Sequence, residues 1–273
     1  MSQQEYVLGT GNDELERLGI QHRIWADVTV AAWKTACIKP GQTVLDLGSG
    51  PGHATFDLAQ LITHKGKIVA LDESEGFIQH IQKQAQARGL KQIEALQGDV
   101  QELEKKFSAN TFDAVYCRWV LCWLEHPQKT LEGIKKILKP NGKLIIHDYF
   151  NWKTMTLAPR SKSLDQVVST TIAAFEERKG DIDIAARLPK MLEDLDLKIE
   201  HFQTHQRVAR GGGKDSTIYW PLTWWKTFTP KLVEQQRLSE EVAQKALADL
   251  SELETNPNLF FVCPTVYEFI AIK

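Results

Sequence analysis

Short apolar runs alternate with stretches of helical periodicity through the first 150 residues. The runs are Val44-Leu-Asp-Leu47, Lys67-Ile-Val-Ala-Leu71, Gln92-Ile-Glu-Ala-Leu-Gln97, Phe112-Asp-Ala-Val-Tyr-Cys117 and Lys143-Leu-Ile-Ile-His147. Each has the length and content of a strand buried in a sheet. Between them, Phe56, Leu58, Ala59 and Ile62 mark one helix face, and Phe77, Ile78, Ile81 and Ala85 mark a second that stops at Gly89. A third face, Leu131, Ile134, Ile137 and Leu138, opens at Pro127, a good first-turn residue, and Pro140-Asn-Gly142 reads as the turn after it. Strands alternating with helices predict an α/β fold with a parallel sheet and helices on both faces.

The flanks follow other patterns. Leu15, Leu18, Ile24, Trp25, Val28 and Trp33 make the N-terminal segment a charged, aromatic helix, so residues 1–39 are expected to form a cap on a main domain of residues 40–273. Residues 149–195 read as helical, Leu197 to Val208 as an added strand, and Cys263 to Ile272 as the last strand. Gly211-Gly-Gly213 marks a loop, and Lys231 to Glu254 reads as one or two polar-faced helices. Residues 149–195 and 209–262 are thus expected to be helical elements on the substrate side.

Ligands of parallel α/β sheets gather at the carboxyl ends of the strands, near the point where strand order reverses. Asp46, Gly48, Asp72, Asp99 and Arg118 all fall at such ends. The first strand runs into Gly48-Ser-Gly-Pro-Gly52, a turn with glycine at alternate positions. Glycine there lets backbone approach a ligand that a Cβ would exclude. The third glycine comes one place earlier than in the dinucleotide fingerprint Gly-x-Gly-x-x-Gly. Asp46, two places before the turn, would repel a diphosphate and attract an ammonium group. The turn therefore suits a cationic ligand such as S-adenosylmethionine.

Composition narrows the partners. The chain of 273 residues is 42% apolar and 25% charged, with a formal net charge of -2. No basic excess is available to grip a phosphate backbone, so no nucleic-acid partner is expected. The first residues lack a signal-peptide pattern, and no apolar run approaches a membrane span, so a cytoplasmic location without membrane association is expected. Cys37, Cys117, Cys122 and Cys263 have no metal-ligand spacing, and no metal site is expected.

With these pieces the chain resembles the class I S-adenosylmethionine-dependent methyltransferases, small-molecule branch, most clearly over residues 40 to 150. The resemblance implies a Rossmann-like, seven-stranded, mostly parallel sheet of order 3-2-1-4-5-7-6, with an antiparallel seventh strand and a helical insertion before it. It implies that Gly48, Ser49, Gly50 and Gly52 hold the methionine part of the cofactor beside Asp46. Asp72, followed by Glu73, would take the ribose hydroxyls. Gly98 and Asp99 would reach the adenine amino group, and Val100 would add a backbone contact. Arg118 and Trp119 would line the cofactor and face the small-molecule methyl acceptor.

Methyl transfer from a sulfonium is a direct displacement that needs alignment more than covalent help, and such positioning supplies on the order of 7 kcal/mol. Where a base assists, His147, Tyr149, His22 and His126 are the candidates. The plain alternatives are a sheet histidine with a satisfied ring for His147 and solvent-facing rings for His22 and His126. Trp220, Trp224 and Trp225 either line an aromatic pocket or form the apolar underside of the inserted helices. A nucleic-acid methyltransferase would carry an Asp/Asn-Pro-Pro-aromatic segment where this chain has Tyr116-Cys-Arg-Trp119. Arg118 argues against an aminopropyl transferase, and the glycine spacing argues against a dehydrogenase. The remaining alternative is a catalytically silent methyltransferase-like module that acts through a protein partner.

Overall fold

The structure, a computed structural model, describes residues 11–273. The first ten residues of the expected cap lie outside them. In chain order the elements are α1 (Asn12–Thr35), β1 (Thr43–Leu47), α2 (His53–Ile62), β2 (Lys67–Asp72), α3 (Glu75–Ala87), β3 (Ile93–Gln97), α4 (Leu103–Lys106), β4 (Phe112–Arg118), α5 (Pro127–Ile137) and β5 (Leu138–Phe150). They continue with β6 (Thr156–Ala158), α6 (Lys162–Glu177), α7 (Leu188–Glu193), β7 (Lys198–His205), β8 (Val208–Arg210), α8 (Tyr219–Glu234), α9 (Glu240–Ser251), β9 (Phe260–Val262) and β10 (Thr265–Ile272).

Two compact units emerge. One comprises Trp25–Asp148, Ile184–Gln203 and Tyr267–Lys273; the other comprises residues 11–24 with Tyr149–Asp183 and Thr204–Val266.

The first unit is built on a seven-stranded sheet of order β3-β2-β1-β4-β5-β10-β7. With the short strands β6, β8 and β9 set aside, this is the 3-2-1-4-5-7-6 order that the resemblance implies. The pairs β1–β2, β1–β4, β2–β3 and β4–β5 are parallel. Successive side chains on a strand face opposite sides of a sheet. Val44, Ala114, Tyr116 and Ile145 share one core with Trp33 of α1 and Leu58 and Ile62 of α2. Their neighbours Leu45, Val115, Cys117 and Ile146 face the other way and are equally buried, so both faces are covered.

The expected turn at Pro140-Asn-Gly142 is instead a bulge inside β5. Register jumps from Phe112↔Leu138 to Ala114↔Lys143, and Asn141 takes a positive φ of 63° in the extra loop of chain.

The second unit holds α6, α8 and α9 with a three-stranded sheet of order β6-β9-β8. Its strand pairs are antiparallel, Leu157↔Phe261 on one side and Ala209↔Phe261 on the other. The segment 149–195 is therefore not wholly helical. Strands of three residues are too short to show alternation, which is why the pattern hides them. The tryptophan cluster lies within α8, which begins well before the helical stretch read from Lys231. Among the described residues no helix is long and apolar enough to cross a membrane.

Candidate functional site

Parallel pairing puts the carboxyl ends of β1, β2, β3 and β4 on one edge. Leu47 stands opposite both Leu71 and Cys117, and Asp72 opposite Gln97. The residues that follow these ends, Gly48, Glu73, Gly98 and Trp119, are thereby neighbours, at the point where strand order reverses.

The glycine turn is fastened to β2. Gly48 and Ser49 N–H both donate to Leu71 O, at 2.8 and 3.1 Å. The three glycines serve different ends. A Cβ on Gly48 (φ +64°) would stand 2.3 Å from Val120 Cγ2, and one on Gly52 (φ +88°) 2.6 Å from Ile81 Cγ1. Those two let the turn pack against the protein. Gly50, at φ +53°, has nothing within 4 Å of its missing Cβ, so it is the glycine that leaves room for a ligand. Beside it, Ser49 Oγ is buried and has no hydrogen-bond partner. A buried hydroxyl left so costs about 1–3 kcal/mol, a cost that a polar ligand would remove.

Asp72 organises the edge. Its Oδ2 accepts from Gly50 N–H at 2.8 Å and its Oδ1 from Ser74 N–H at 2.9 Å. Each carboxylate oxygen has a second lone pair, so two further donors can be taken. Burial raises the Asp72 carboxyl above its ordinary range, against the lowering effect of these two N–H bonds. Glu73 is also raised, by burial first and then by the charges of Asp72 and Asp99. Glu73 thus stands close enough to Asp72 and Asp99 to feel both charges. Asp99 accepts from Gln101 N–H at 2.8 Å and caps the short helical turn that begins at Val100. Gly98 N–H donates to Asp72 O at 2.9 Å.

Asp46 is buried, and Thr55 donates to its Oδ2 at 2.6 Å. Burial pushes its carboxyl up to about 6, while the Thr55 bond and the Arg118 charge pull the other way. A carboxyl raised on folding binds more protons in the folded chain than in the unfolded one between these pKa values. Its effect on stability therefore worsens as pH rises through that window. Asp46→Asn is expected to raise the melting temperature at pH 7.5, by an effect of up to about 3 kcal/mol. The gain should fade by pH 4 to 5, where Asp46 is itself neutral. Thermal melts across pH 4 to 8 check this; a stability gain independent of pH would remove the charge from the explanation.

Arg118 Nη1 donates to Thr29 Oγ1 at 3.0 Å, and its guanidinium lies 5.0 Å from the Trp119 ring centroid. Trp119 takes a left-handed backbone (φ 54°), uncommon for a bulky residue and costing about 1–3 kcal/mol. Its N–H donates to His147 O at 2.8 Å, and its ring meets Trp25 edge-on at 5.6 Å.

The candidate bases are not gathered in this way. His147 is buried in the sheet, with Nδ1 3.4 Å from Tyr116 Oη and Nε2 3.0 Å from Glu268 Oε2. Burial pushes the Tyr116 hydroxyl up to about 12, so it stays a neutral hydrogen-bonding group. Both nitrogens of His147 are engaged within the fold, which is the satisfied-ring arrangement. His22 is buried on α1, contrary to the solvent-facing alternative, and His126 is exposed, 3.7 Å from Glu125. Tyr149 belongs to the other unit, where it packs edge-on against Trp152 at 5.3 Å. Glu268 and Thr29, which hold His147 and Arg118, carried no signal in the sequence. Among the described residues all four cysteines are free thiols.

A seven-stranded sheet in this order, with acids and a glycine turn at one edge, defines a Rossmann-like fold for a nucleoside-bearing ligand. A family described as "Methyltransferase domain" matches residues 38–233, and the chain belongs to it. A demethylmenaquinone methyltransferase of Bacillus cereus is 33% identical over 125 residues, which cover 46% of this chain and 51% of that enzyme. The chain spans about half the length of the curated relatives it matches. Among solved structures, the YcgJ protein of Bacillus subtilis aligns with a TM-score of 0.62 at 16% identity, over 90% of this chain and 97% of that one. A SAM-dependent methyltransferase of Aquifex aeolicus aligns with a TM-score of 0.50 at 25% identity, over 64% and 81%. Family and fold together place the chain among the methyltransferase-domain proteins.

Proposed function

We propose that this chain transfers a methyl group from S-adenosylmethionine to a small-molecule acceptor by direct displacement. The observation that carries the reading is the open face of Gly50, flanked by the unpartnered Ser49 hydroxyl and the carboxylates of Asp46 and Asp72. The name of the Bacillus cereus relative, a methyltransferase of a small molecule, supports it.

Bound S-adenosylmethionine supplies a methyl group on a positively charged sulfur. In this reading Asp46 attracts the cofactor's ammonium group, while Gly48, Ser49, Gly50 and Gly52 shape the turn around its methionine part. Asp72 accepts from the ribose hydroxyls with the lone pairs its backbone bonds leave open, and Glu73 adds negative potential. Gly98 and Asp99 receive the adenine amino group, next to the Val100 backbone. Arg118 orients a carboxylate, and Trp119 forms a wall. With both His147 nitrogens engaged, the sheet offers no base there, and the reaction rests on alignment. The N-terminal cap and the helical elements within 149–195 and 209–262 supply the acceptor side, with His22 and Tyr149 among their buried groups.

The test is methyl transfer from isotope-labelled S-adenosylmethionine into fractionated metabolites. Labelled product in a low-molecular-weight fraction is the expected result. Cofactor binding by calorimetry with no transfer into any fraction would favour the silent module instead.

A further inference from the structure

The chain changes direction abruptly at the carboxyl end of β4, beside the glycine turn. Leu47 pairs with Cys117, so Gly48 follows β1 at the level where Arg118 ends β4. Had β4 run on straight, Val120 would stand two residues, about 7 Å, beyond Gly48. It stands against Gly48 instead. A Cβ on Gly48 would meet three atoms of Val120, Cγ2 at 2.3 Å, Cγ1 at 3.1 Å and Cβ at 3.3 Å. The chain folds back at Trp119, whose φ of 54° is a left-handed conformation that bulky residues avoid. Around Val120 the backbone is tied down. Trp119 N–H donates to His147 O at 2.8 Å, Trp123 N–H to Val120 O at 3.0 Å, and Cys122 N–H to Asp148 Oδ2 at 3.3 Å. The Val120 side chain is buried, and its β-branch restricts its one torsion. Because β1 lies between β2 and β4, the turn that follows it is gripped from β2 and met from β4. The grip consists of Leu71 O and the Asp72 carboxylate; the stop is Val120.

We propose that Val120 is the positioning residue of the cofactor turn, and that the left-handed backbone of Trp119 is what delivers it there. The inference rests on the methyl-transfer reading above. Hydrogen bonds from one side leave a turn free to tilt about them. A stiff, buried side chain on the opposite side removes that freedom. The two methyls of Val120 thus set where the Gly50 N–H and the Ser49 hydroxyl lie, and with them where the cofactor's methionine part rests. Val120 touches no ligand in doing so. Gly48 is then glycine on account of Val120, and Gly50 on account of the ligand, because nothing lies within 4 Å of the Cβ that Gly50 lacks.

A double-mutant cycle tests this, read by calorimetry with S-adenosylmethionine and by thermal melts on the full chain. Gly48→Ala adds a methyl where Val120 already stands, together with the strain of a positive φ. It is expected to weaken binding by at least about thirtyfold. Val120→Ala removes both methyls and is expected to weaken binding about threefold. With Val120→Ala in place only the φ strain remains, so adding Gly48→Ala should weaken binding by about fivefold more. Gly50→Ala is the control, and its loss should be the same in both backgrounds. Trp119→Gly and Trp119→Ala lose the same indole, but only glycine takes a positive φ without strain. The alanine variant should therefore bind about three- to tenfold more weakly than the glycine variant. This pair adds no atom to the packed interior and decides the matter even where Gly48→Ala does not fold. A Gly48→Ala loss that Val120→Ala does not reduce, losses confined to the melting temperature, or equal affinities in the two Trp119 variants would each overturn the proposal. Normal cofactor binding by the parent chain with additive losses removes this inference alone. Absent cofactor binding by the parent chain removes the methyl-transfer reading and this inference with it.

Discussion

Asp72→Ala is expected to lower the affinity for S-adenosylmethionine by at least about a hundredfold, read by calorimetry. Two effects add. The variant would lose the two charge-assisted bonds proposed for the ribose hydroxyls, each contributing about 1.5–3 kcal/mol. It also strips the acceptor from the N–H groups of Gly50 and Ser74, now held at 2.8 and 2.9 Å, and so loosens the turn and the start of α3. Asp72→Asn tells the two apart, because its one amide oxygen still braces a backbone donor while its amide nitrogen cannot accept from a hydroxyl. Unchanged affinity in both variants would sink the ribose assignment.

The parts of this edge that a sequence shows are those written in contiguous residues. A mostly apolar run from Val44 to Leu47, a glycine turn and a helical face from Phe56 to Ile62 are each local patterns, and strand alternation then fixes which edge they share. The glycines show how far such reading goes. A close backbone approach is legible from residue type, but two of the three are required by Val120 and Ile81, neighbours that only the fold supplies. The short strands β6, β8 and β9 lack the length for a period, and the bulge in β5 imitates an ordinary turn. His147 is the clearest case of non-local information. Its partners lie 31 and 121 residues away, at Tyr116 and Glu268. A histidine at a strand end reads as a candidate base, and only the fold shows which groups its two nitrogens meet.

His147→Ala is the second large expected effect. It leaves the Glu268 carboxylate, only 2% exposed, without its 3.0 Å contact to Nε2, and it removes a packed ring from the sheet. Breaking a buried charge-bearing pair by deleting one member costs about 3–5 kcal/mol. His201 Nε2 also lies 3.1 Å from Glu268 Oε1, without hydrogen-bond geometry. A drop in melting temperature of about 6–12 °C is expected for a loss near 3 kcal/mol. Cofactor affinity should stay close to that of the parent chain. Unchanged melting and cofactor affinity, with methyl transfer abolished, would instead mark His147 as a base.

The double grip of Asp72 on Gly50 and Ser74 has a thermodynamic consequence. Loops pinned by a carboxylate during folding need not be ordered again when a ligand arrives, so little conformational entropy is lost at that moment. Binding at this edge should therefore leave the amide-exchange rates of Gly50 and Ser74 nearly unchanged, because their protection is already in place.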